Sequence, residues 1–487
     1  MDKRWWTLIA MSLATLMTFL DNNVVNVAIP TIQRSLHLSV SGLEWVVSAY
    51  LLVLAGLLLV GGRVADVYGR KRVFLIGLVI FTLSSLAAGL AGSGGLLIAT
   101  RAVQGLGGAM MMPAALAILQ ATFTDPRERA QAIGIWGAAG ALALALGPAV
   151  GGLISEHIRW GWIFFINVPL GVVTFVIALT TAGESRGQTE SRSLDIPGLV
   201  TSAATLTALT YALIDGQDRG WTSAPIIAAF AAAAACIAAF VTIEARSQHP
   251  MVPLSMFRYR AFSGGSLTTM GWAFGVMGIY FFTSVYMQTI LRFSPVKAGL
   301  AFVPMALLVA VAATIAPRVA HAIGDHRVVS LGLLIMLSGL VAFAAIGTHS
   351  SYGALMPAFL LYGLGAGLMT PPLTTAVLAA TPPERGGVAS ALMNDSREVA
   401  GLLGITVIGA VLRSVEASAL RHGTAAPSAF LDGYHAGLYV TIAVIAVCVV
   451  VSYLSLRPQP ASADDRRPRV GAEVPVVALD VTGREVS

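Results

Sequence analysis

Long hydrophobic runs separated by short polar or charged segments extend along almost the whole chain, from Trp5 to Leu456. Most runs contain about 20 residues, which is the length that an α-helix needs to cross the hydrocarbon core of a bilayer. The Gly, Pro and charged positions between the runs predict fourteen membrane-spanning helices. The predicted ranges are 5–30, 42–61, 73–91, 95–118, 131–155, 161–181, 195–214, 222–243, 262–289, 297–319, 328–347, 352–377, 387–412 and 434–456.

Two short sequences occur twice in the chain at nearly the same offset. GRVADVYGRKRV, from Gly62, aligns without gaps with PRVAHAIGDHRV, from Pro317, and GLGGAMMMP, from Gly105, aligns with GLGAGLMTP, from Gly363. The shared offset indicates a duplicated six-helix unit, so we predict an all-α integral membrane protein. The predicted parts are an N-terminal six-helix half at 1–185, two inserted transmembrane helices at 186–258, a C-terminal six-helix half at 259–457 and a disordered cytoplasmic tail at 458–487.

Composition and charge agree with a membrane location. Of the residues, 56% are hydrophobic and 11% charged, whereas soluble domains contain about 25% charged residues. Although the net charge is +6, most Lys and Arg residues lie in segments on the same side of the membrane as the N-terminus. This distribution predicts a multi-pass protein of the cell inner (plasma) membrane with both termini in the cytoplasm, and it explains the basic charge without a nucleic-acid partner.

Several kinds of chemistry lack their sequence signals. No GxxxxGK[ST] sequence is present, so we expect no ATP hydrolysis. The HExxH and nucleophile-elbow motifs are also absent, so the sequence does not indicate an enzyme. Cys236 and Cys448 lie in separate hydrophobic runs without paired spacing, so we expect neither a disulfide nor a metal site. The sequence therefore predicts a protein that is not an enzyme and needs no cofactor.

The segment from Gly62 to Val73 combines glycines, an acid and a basic cluster between the second and third predicted spans. Asp66 can anchor a helix end while the basic residues hold the loop at the anionic membrane face. The segment resembles the loop motif of major facilitator transporters; the alternative is a solvated turn with ordinary loop charges. In the second copy, His321 and Asp325 replace Asp66 and Arg70, so a latch there must differ. The candidate gating residues in this loop are Gly62, Asp66, Gly69, Arg70 and Arg72.

The fifth predicted span contains the small-residue sequence ALALGPAVGG, from Ala143 to Gly152. Small residues at helical spacing let two helices approach closely, and proline bends a helix. The sequence resembles the helix-five motif of antiporters and favours export, although ordinary helix packing is the alternative. The candidate gating residues here are Gly147, Pro148, Gly151 and Gly152.

Ionisable residues inside predicted spans are costly and indicate function or a partner. Arg101, in LLIATRAVQGLGGA, has no acid nearby in sequence. Its segment resembles the helix-four motif of proton-coupled transporters, so Arg101 either tunes a protonatable acid or forms an ion pair that only locks two helices. In the thirteenth span, Asp395, Arg397 and Glu398 share one helical turn and either act in coupling or neutralise one another.

Asp21 lies in LDNNVVNVAIP, from Leu20 to Pro30. This segment resembles the first-helix motif of the fourteen-span drug:proton antiporter family, with Asn23 in place of the more usual Thr. By this resemblance Asp21 is the membrane acid; the alternative is a helix-end cap at the outer interface. The strings LEWVVSAYLL, WIFFINVPLG, SPVKAGL and GVASALMNDSREVAGLLG extend the resemblance over residues 5–456.

The resemblance implies a proton-coupled antiporter that exports small amphipathic or cationic drugs, antibiotics or metabolites by alternating access. An importer of a nutrient or metabolite is the alternative, and a channel or membrane scaffold is a third reading. The expected partners are the small-molecule substrate, protons and the lipid bilayer, and we expect a monomer. The expected proton-coupling residues are Asp21, Arg101, Asp395 and Glu398. The expected substrate-binding residues are Asn22, Asn23, Asn26, Trp45, Tyr50, Trp136, Tyr280, Tyr286, Asn394 and Arg397.

Overall fold

The computed structural model describes residues 2–187, 195–247, 250–381 and 386–457, and every regular element in these ranges is a helix. Residues 1–456 form one compact unit; the predicted tail at 458–487 lies outside the described residues. The helices are α1 Lys3–Leu36, α2 Val40–Tyr68, α3 Arg70–Gly89, α4 Gly94–Thr122, α5 Pro126–His157, α6 Trp162–Phe165, α7 Asn167–Thr181, α8 Ile196–Arg219, α9 Ala224–Arg246, α10 Arg260–Thr289, α11 Pro295–Ala301, α12 Val303–Ile323, α13 Asp325–Ala344, α14 Tyr352–Ala379, α15 Gly386–Arg421 and α16 Ala426–Ser455, with a short 3₁₀ helix at Leu254–Arg258 before α10.

These helices make fourteen spans, as the sequence predicts. In the described part of the chain, thirteen segments are long and apolar enough to cross a membrane, and α5, with 32 residues, supplies the fourteenth. Two spans are broken near a proline, which cannot donate a backbone hydrogen bond. One break separates α6 from α7 ahead of Pro169, and the other separates α11 from α12 ahead of Pro304.

The same close helix contacts occur in both six-helix units. Gly77 of α3 faces Gly107 of α4, and Gly332 of α13 faces Gly365 of α14. At each of these glycines, an added Cβ would lie within 3.0 Å of the opposite helix. Glycine at such positions allows two helix backbones to approach closely. The repeated sequence therefore produces a repeated packing arrangement.

The two inserted helices, α8 and α9, pack against each other, and α8 also contacts α2 and α15. The described contacts of α8 thus include one helix from each six-helix unit. Large apolar side chains on the outward faces of many helices are exposed, for example Leu83, Val176 and Val447. This outer surface is suited to lipid tails, because an apolar surface of this extent is unusual on a protein surrounded by water.

The two six-helix units touch at the end of the bundle opposite Lys3, where α1 passes into α2 at residues 37–39. We call this the distal end, and the end where α1 begins the proximal end. Gln288 Nε2 of α10 donates to the Val27 carbonyl of α1 over 2.9 Å. Glu156 Oε2 of α5 accepts a hydrogen bond from Val296 N over 2.8 Å. These contacts join the two units at the distal end.

Candidate functional site

Asp21 and Arg101 form an ion pair in the interior of the first six-helix unit, and both side chains are 0% exposed. Arg101 Nη1 of α4 donates to Asp21 Oδ2 of α1. Asp21 Oδ1 accepts two further hydrogen bonds, each of 2.8 Å, from Gln104 Nε2 and from Asn167 Nδ2 of α7. Both carboxylate oxygens are thus bonded, which offsets part of the cost of burying the charge.

A second ring of contacts holds this pair in place. Asn167 Nδ2 also donates to Ser85 Oγ of α3, over 3.0 Å, so that four helices meet around the carboxylate. The Arg101 guanidinium lies 4.3 Å from the centre of the Tyr50 ring, within the range of a cation–π contact. Arg101 Nε donates to the Val46 carbonyl over 3.3 Å. Any change in the charge of Asp21 therefore acts on several helices together.

The position of Asp21 does not fit a helix-end cap, because α1 runs from Lys3 to Leu36 and its N-cap is Asp2. The sequence identified Asp21 and Arg101 separately, but it did not identify Gln104 and Asn167 as partners of Asp21 or Ser85 as a partner of Asn167. Gln104 and Asn167 occur inside the strings LLIATRAVQGLGGA and WIFFINVPLG. Because a polar amide side chain within an apolar span needs a partner, these two residues could have been recognised in the sequence as candidates.

The second six-helix unit has no equivalent charge at this place. When the repeat that begins at Gly105 is aligned with the one that begins at Gly363, Phe359 and Tyr362 correspond to Arg101 and Gln104, and both are buried. Phe359 packs edge-on against Phe302 and Phe343, with ring centres 5.2 and 5.1 Å apart. The two halves of the duplication have therefore diverged, one keeping a polar centre and the other an aromatic one.

The asparagines after Asp21 lie on the buried part of α1. Asn22 Oδ1 and Asn26 Oδ1 are buried and have no hydrogen-bond partner among the described residues, whereas Asn23 Nδ2 donates to the Phe19 carbonyl over 2.7 Å. The same lack of a partner in the described part of the chain applies to Tyr50 Oη and Trp136 Nε1. These groups retain unused hydrogen-bonding capacity that a bound molecule could satisfy.

In α15, Arg397 Nη2 donates to Glu398 Oε1 over 2.8 Å, so these neighbours neutralise each other in this conformation. The Arg397 guanidinium also lies 5.5 Å from the ring centre of Phe19 in α1. Asp395 Oδ1 is buried without a partner among the residues described. Asn394 Nδ2 bonds back to the Ser390 carbonyl over 3.1 Å. This cluster thus approaches α1 from the second six-helix unit.

Three of the aromatic candidates make contacts of other kinds. Trp45 Nε1 donates to Asp215 Oδ1 of α8 over 2.9 Å. Tyr280 stacks on Phe302 with ring centres 4.8 Å apart, and the Tyr286 hydroxyl donates to the Gly347 carbonyl over 2.6 Å. The structure therefore groups Tyr50 with Arg101, whereas Trp45, Tyr280 and Tyr286 contact residues elsewhere in the protein.

At the proximal end, the turn between α2 and α3 is tied to the segment after α7. Asp66 Oδ1 forms an ion pair of 2.8 Å with Arg70 Nη2. The Asp66 carbonyl accepts from Gly187 N over 3.0 Å, and Arg70 N donates to the Ser185 carbonyl over 2.9 Å. Gly69 has φ +112°, as Gly324 has φ +92° in the second copy, which is a conformation that favours glycine. The turn thus recurs in both copies, although its charges do not.

Glu184 strengthens this connection by capping α3. Its two carboxylate oxygens accept from Lys71 N over 3.1 Å and from Arg72 N over 3.2 Å. A carboxylate at a helix N-terminus satisfies free N–H groups and interacts favourably with the helix dipole. Gly62, earlier in α2, faces Pro113 of α4.

The glycines of α5 contact two different helices. A Cβ on Gly147 would meet Asn23, and one on Gly151 would meet the Val24 carbonyl of α1. Gly152 instead faces the backbone of Pro295 in α11, and the Pro148 carbonyl faces Gly299 of the same helix. The sequence GPAVGG therefore packs α5 against α1 within one six-helix unit and against α11 in the other.

Comparison with known proteins agrees with this arrangement. The sequence profile of the Major Facilitator Superfamily matches residues 11–405, so the chain belongs to this superfamily of multi-pass membrane transporters. The puromycin resistance protein pur8 of Streptomyces alboniger is 34% identical over 473 residues, covering 95% of this chain and 93% of that protein. The tetracenomycin C resistance and export protein of Streptomyces glaucescens is 31% identical, covering 97% and 94%.

A third relative, the multidrug resistance protein Stp of Mycobacterium tuberculosis (strain CDC 1551 / Oshkosh), is 36% identical over 83% of this chain and 75% of its own length. Among solved structures, the transporter PepTSo of the POT family has a TM-score of 0.69 at 13% identity, with 93% of this chain and 98% of that chain covered. A bacterial homologue of the human lysosomal transporter Spinster has a TM-score of 0.65 at 18% identity, with 94% and 99% covered. These two structures show the shared fold.

Proposed function

We propose that this protein is a proton-coupled antiporter that exports drugs or antibiotics of small, amphipathic or cationic character by alternating access. The buried Asp21–Arg101 pair carries the proposal, because it places a titratable acid where four helices meet. The relatives named for resistance to puromycin and for export of tetracenomycin C support the substrate class and the outward direction.

Protonation of Asp21 would remove the charge that Arg101 needs as a partner. The hydrogen bonds from Gln104 and Asn167 would weaken at the same time, since a neutral acid is a poorer acceptor than a carboxylate. Inward proton movement supplies about 2.3 kcal/mol per charge for each 100 mV of membrane potential. Substrate and proton need only favour different conformations for their movements to be coupled.

We further propose that the substrate site uses the unpartnered groups of α1 and its neighbours. Asn22, Asn26, Tyr50 and Trp136 contribute acceptors, a hydroxyl and an indole N–H that are buried and unbonded in the part of the chain that the structure describes. Arg397 approaches from the second unit, and the buried Asp395 lies two residues before it in α15. This combination suits molecules that present both flat apolar surface and hydrogen-bonding groups.

The termini are proposed to lie in the cytoplasm of a plasma membrane, with the protein acting as a monomer. Basic residues at the proximal end, among them Arg70, Lys71 and Arg127, support this orientation. The distal end then faces the outside of the cell.

Reconstitution in liposomes tests the proposal. With a proton gradient imposed, the protein should move puromycin, other antibiotics or cationic dyes against their concentration gradients, and this flux should stop when the gradient is dissipated. Inward accumulation of a metabolite would support an importer instead. The absence of any coupled flux over the panel would overturn the proposal.

A further inference from the structure

A second buried ion pair joins the two six-helix units at the distal end. Arg413 Nη2 of α15 donates to Glu44 Oε2 of α2 over 3.0 Å, and the two side chains are 6% and 0% exposed. Both carboxylate oxygens of Asp21 accept hydrogen bonds, whereas in the described part of the chain only one oxygen of Glu44 does. Glu44 Oε1 and Arg413 Nη1 are both buried without a partner among the described residues.

The space around this pair is restricted. Glu44 Oε1 occupies the place where a Cβ on Gly409 of α15 would lie, so glycine at that position lets the carboxylate enter the contact between α2 and α15. Arg413 Nε bonds back to the Gly409 carbonyl over 3.4 Å. The pair thus sits inside the interface between the two units, where it contributes to holding them together.

The inserted helix α8 covers the same contact. The Leu213 carbonyl accepts from Arg413 Nη2 over 3.2 Å, in addition to the Glu44 bond. Asp215 accepts from the Trp45 indole over 2.9 Å, and Asp218 accepts from Ser41 Oγ over 2.6 Å. Helix α8 therefore binds α2 on either side of Glu44 and binds Arg413 directly.

The charges that face Glu44 come from two elements. Arg413 of α15 carries a charge opposite to that of an ionised Glu44, whereas Asp215 and Asp218 of α8 carry the same charge. Arg219 is paired with Asp215 over 3.1 Å and so partly offsets that acid. Burial opposes the ionised form of Glu44, and the contact with Arg413 that favours this form exists only while α2 and α15 are together.

We propose that Glu44 is a second proton-responsive residue, which holds the two units together at the distal end through Arg413 while ionised and releases them when neutralised by a proton from the distal solution. The proton adds to the unbonded Oε1 and gives the neutral acid. Arg413 then loses its counter-charge, and separation of α2 from α15 allows its guanidinium to reach water. This inference rests on the proposed function, since it assigns Glu44 a part in proton-driven opening.

Accessibility of a cysteine behind the pair tests this inference. Ser48 lies one turn beyond Glu44 on α2 and is 0% exposed. A Ser48→Cys reporter would be made in a chain that carries Cys236→Ala and Cys448→Ser, reconstituted in liposomes, and treated with a membrane-impermeant thiol reagent from each side in turn. An Ala425→Cys variant, exposed between α15 and α16, corrects for the intrinsic pH dependence of the reagent.

With reagent on the distal side, the corrected rate of labelling should rise about tenfold or more when the pH is lowered from about 8 to about 5. A population shift of this size requires only a modest difference in proton affinity between the closed and open arrangements. With Glu44→Gln added, labelling should be fast at both pH values. Glu416→Gln is the matched control, because it removes a half-buried acid of α15 at the same end and should keep the pH dependence of the parent.

Retention of the pH-dependent rise in Glu44→Gln, or slow labelling at both pH values, would overturn the inference. Should Glu44→Gln fail to fold, Gly409→Ala keeps both charges but displaces the Glu44 carboxylate. It should then label rapidly at high pH, and labelling as slow as in the parent would equally count against the inference. The assay needs neither substrate nor transport, so its outcome is separate from that of the liposome export assay.

Discussion

The Asp21 carboxylate and the Arg101 guanidinium are both removed from solvent, so the stability of each charge depends on the other. Removal of one member of a buried pair typically costs about 3–5 kcal/mol, because the remaining charge is left uncompensated. Replacement of both members by neutral groups can be nearly neutral for stability. Comparison of a single with a double substitution therefore distinguishes a structural role of the pair from a role in proton coupling.

Asp21→Asn should therefore abolish proton-driven efflux and also lower the thermal stability of the purified protein. The double variant Asp21→Asn/Arg101→Met should recover most of that stability, since no unpaired charge remains. Its efflux should stay absent, because the titratable group is still missing. Efflux in liposomes and thermal unfolding in detergent are the two measurements.

Recovery of efflux in the double variant would show that the pair only locks helices together. Full efflux by Asp21→Asn alone, at every pH tested, would show that Asp21 is not the coupling acid and would favour Asp395 or Glu398 in that role. These acids are the next residues to substitute, because they lie beside Arg397, which contacts Phe19 of α1.

At the level of helices, small residues decide how closely α5 approaches its neighbours. A Cβ on Gly151 would lie 2.6 Å from the Val24 carbonyl, whereas Gly137 of the same helix has open space where a Cβ would be. Alanine is otherwise favoured over glycine within a helix by roughly 0.5–1 kcal/mol. The two positions thus differ in their tertiary contacts and not in their local helical preference.

Gly151→Ala should lower the free energy of unfolding by about 1–3 kcal/mol, since overpacking forces α1 and α5 apart. Gly137→Ala should leave it unchanged or raise it slightly. Thermal or denaturant unfolding of the two variants in the same detergent provides the comparison. Equal effects at the two positions would mean that α1 and α5 are not in the close contact described.

The cap of α3 is a second feature at this level. Glu184→Ala should cost about 1 kcal/mol at the first turn of α3, because Lys71 N and Arg72 N lose their acceptor. Hydrogen–deuterium exchange in that turn should accelerate about fivefold. Glu128→Ala, which removes the exposed partner of Arg4 at the same end, should leave exchange in α3 as it is. Unchanged exchange in Glu184→Ala would show that the cap contributes nothing.

For the whole molecule, an even number of spans places the two termini on the same side of the membrane. We expect that side to be the cytoplasm, since basic residues are concentrated at the proximal end. A fluorescent reporter fused after Ser487 should be active, and an alkaline phosphatase fused at the same place should be inactive. Phosphatase activity at the C-terminus would show that the orientation, and the direction of transport inferred from it, are the opposite of those proposed.

The amino-acid sequence by itself determined the number of spans, the duplication and the superfamily. These depend on the length and periodicity of hydrophobic runs, which are local properties, and on the high cost of leaving polar groups in lipid. The same cost makes Asp21 and Arg101 conspicuous as charged residues within apolar runs of the sequence. The duplicated sequences predicted a repeated six-helix unit, and the structure shows that the α3–α4 contact recurs between α13 and α14.

Only the tertiary structure decided which groups meet. Asp21 is far in sequence from Gln104 and Asn167, and their contact depends on how α1, α4 and α7 pack. Arg413 lies just beyond the predicted end of the thirteenth span at residue 412, but α15 continues to Arg421 and buries it against Glu44. Hydropathy gives the approximate ends of a helix, whereas burial of a charge near such an end depends on the neighbouring helices, and these are set by long-range packing.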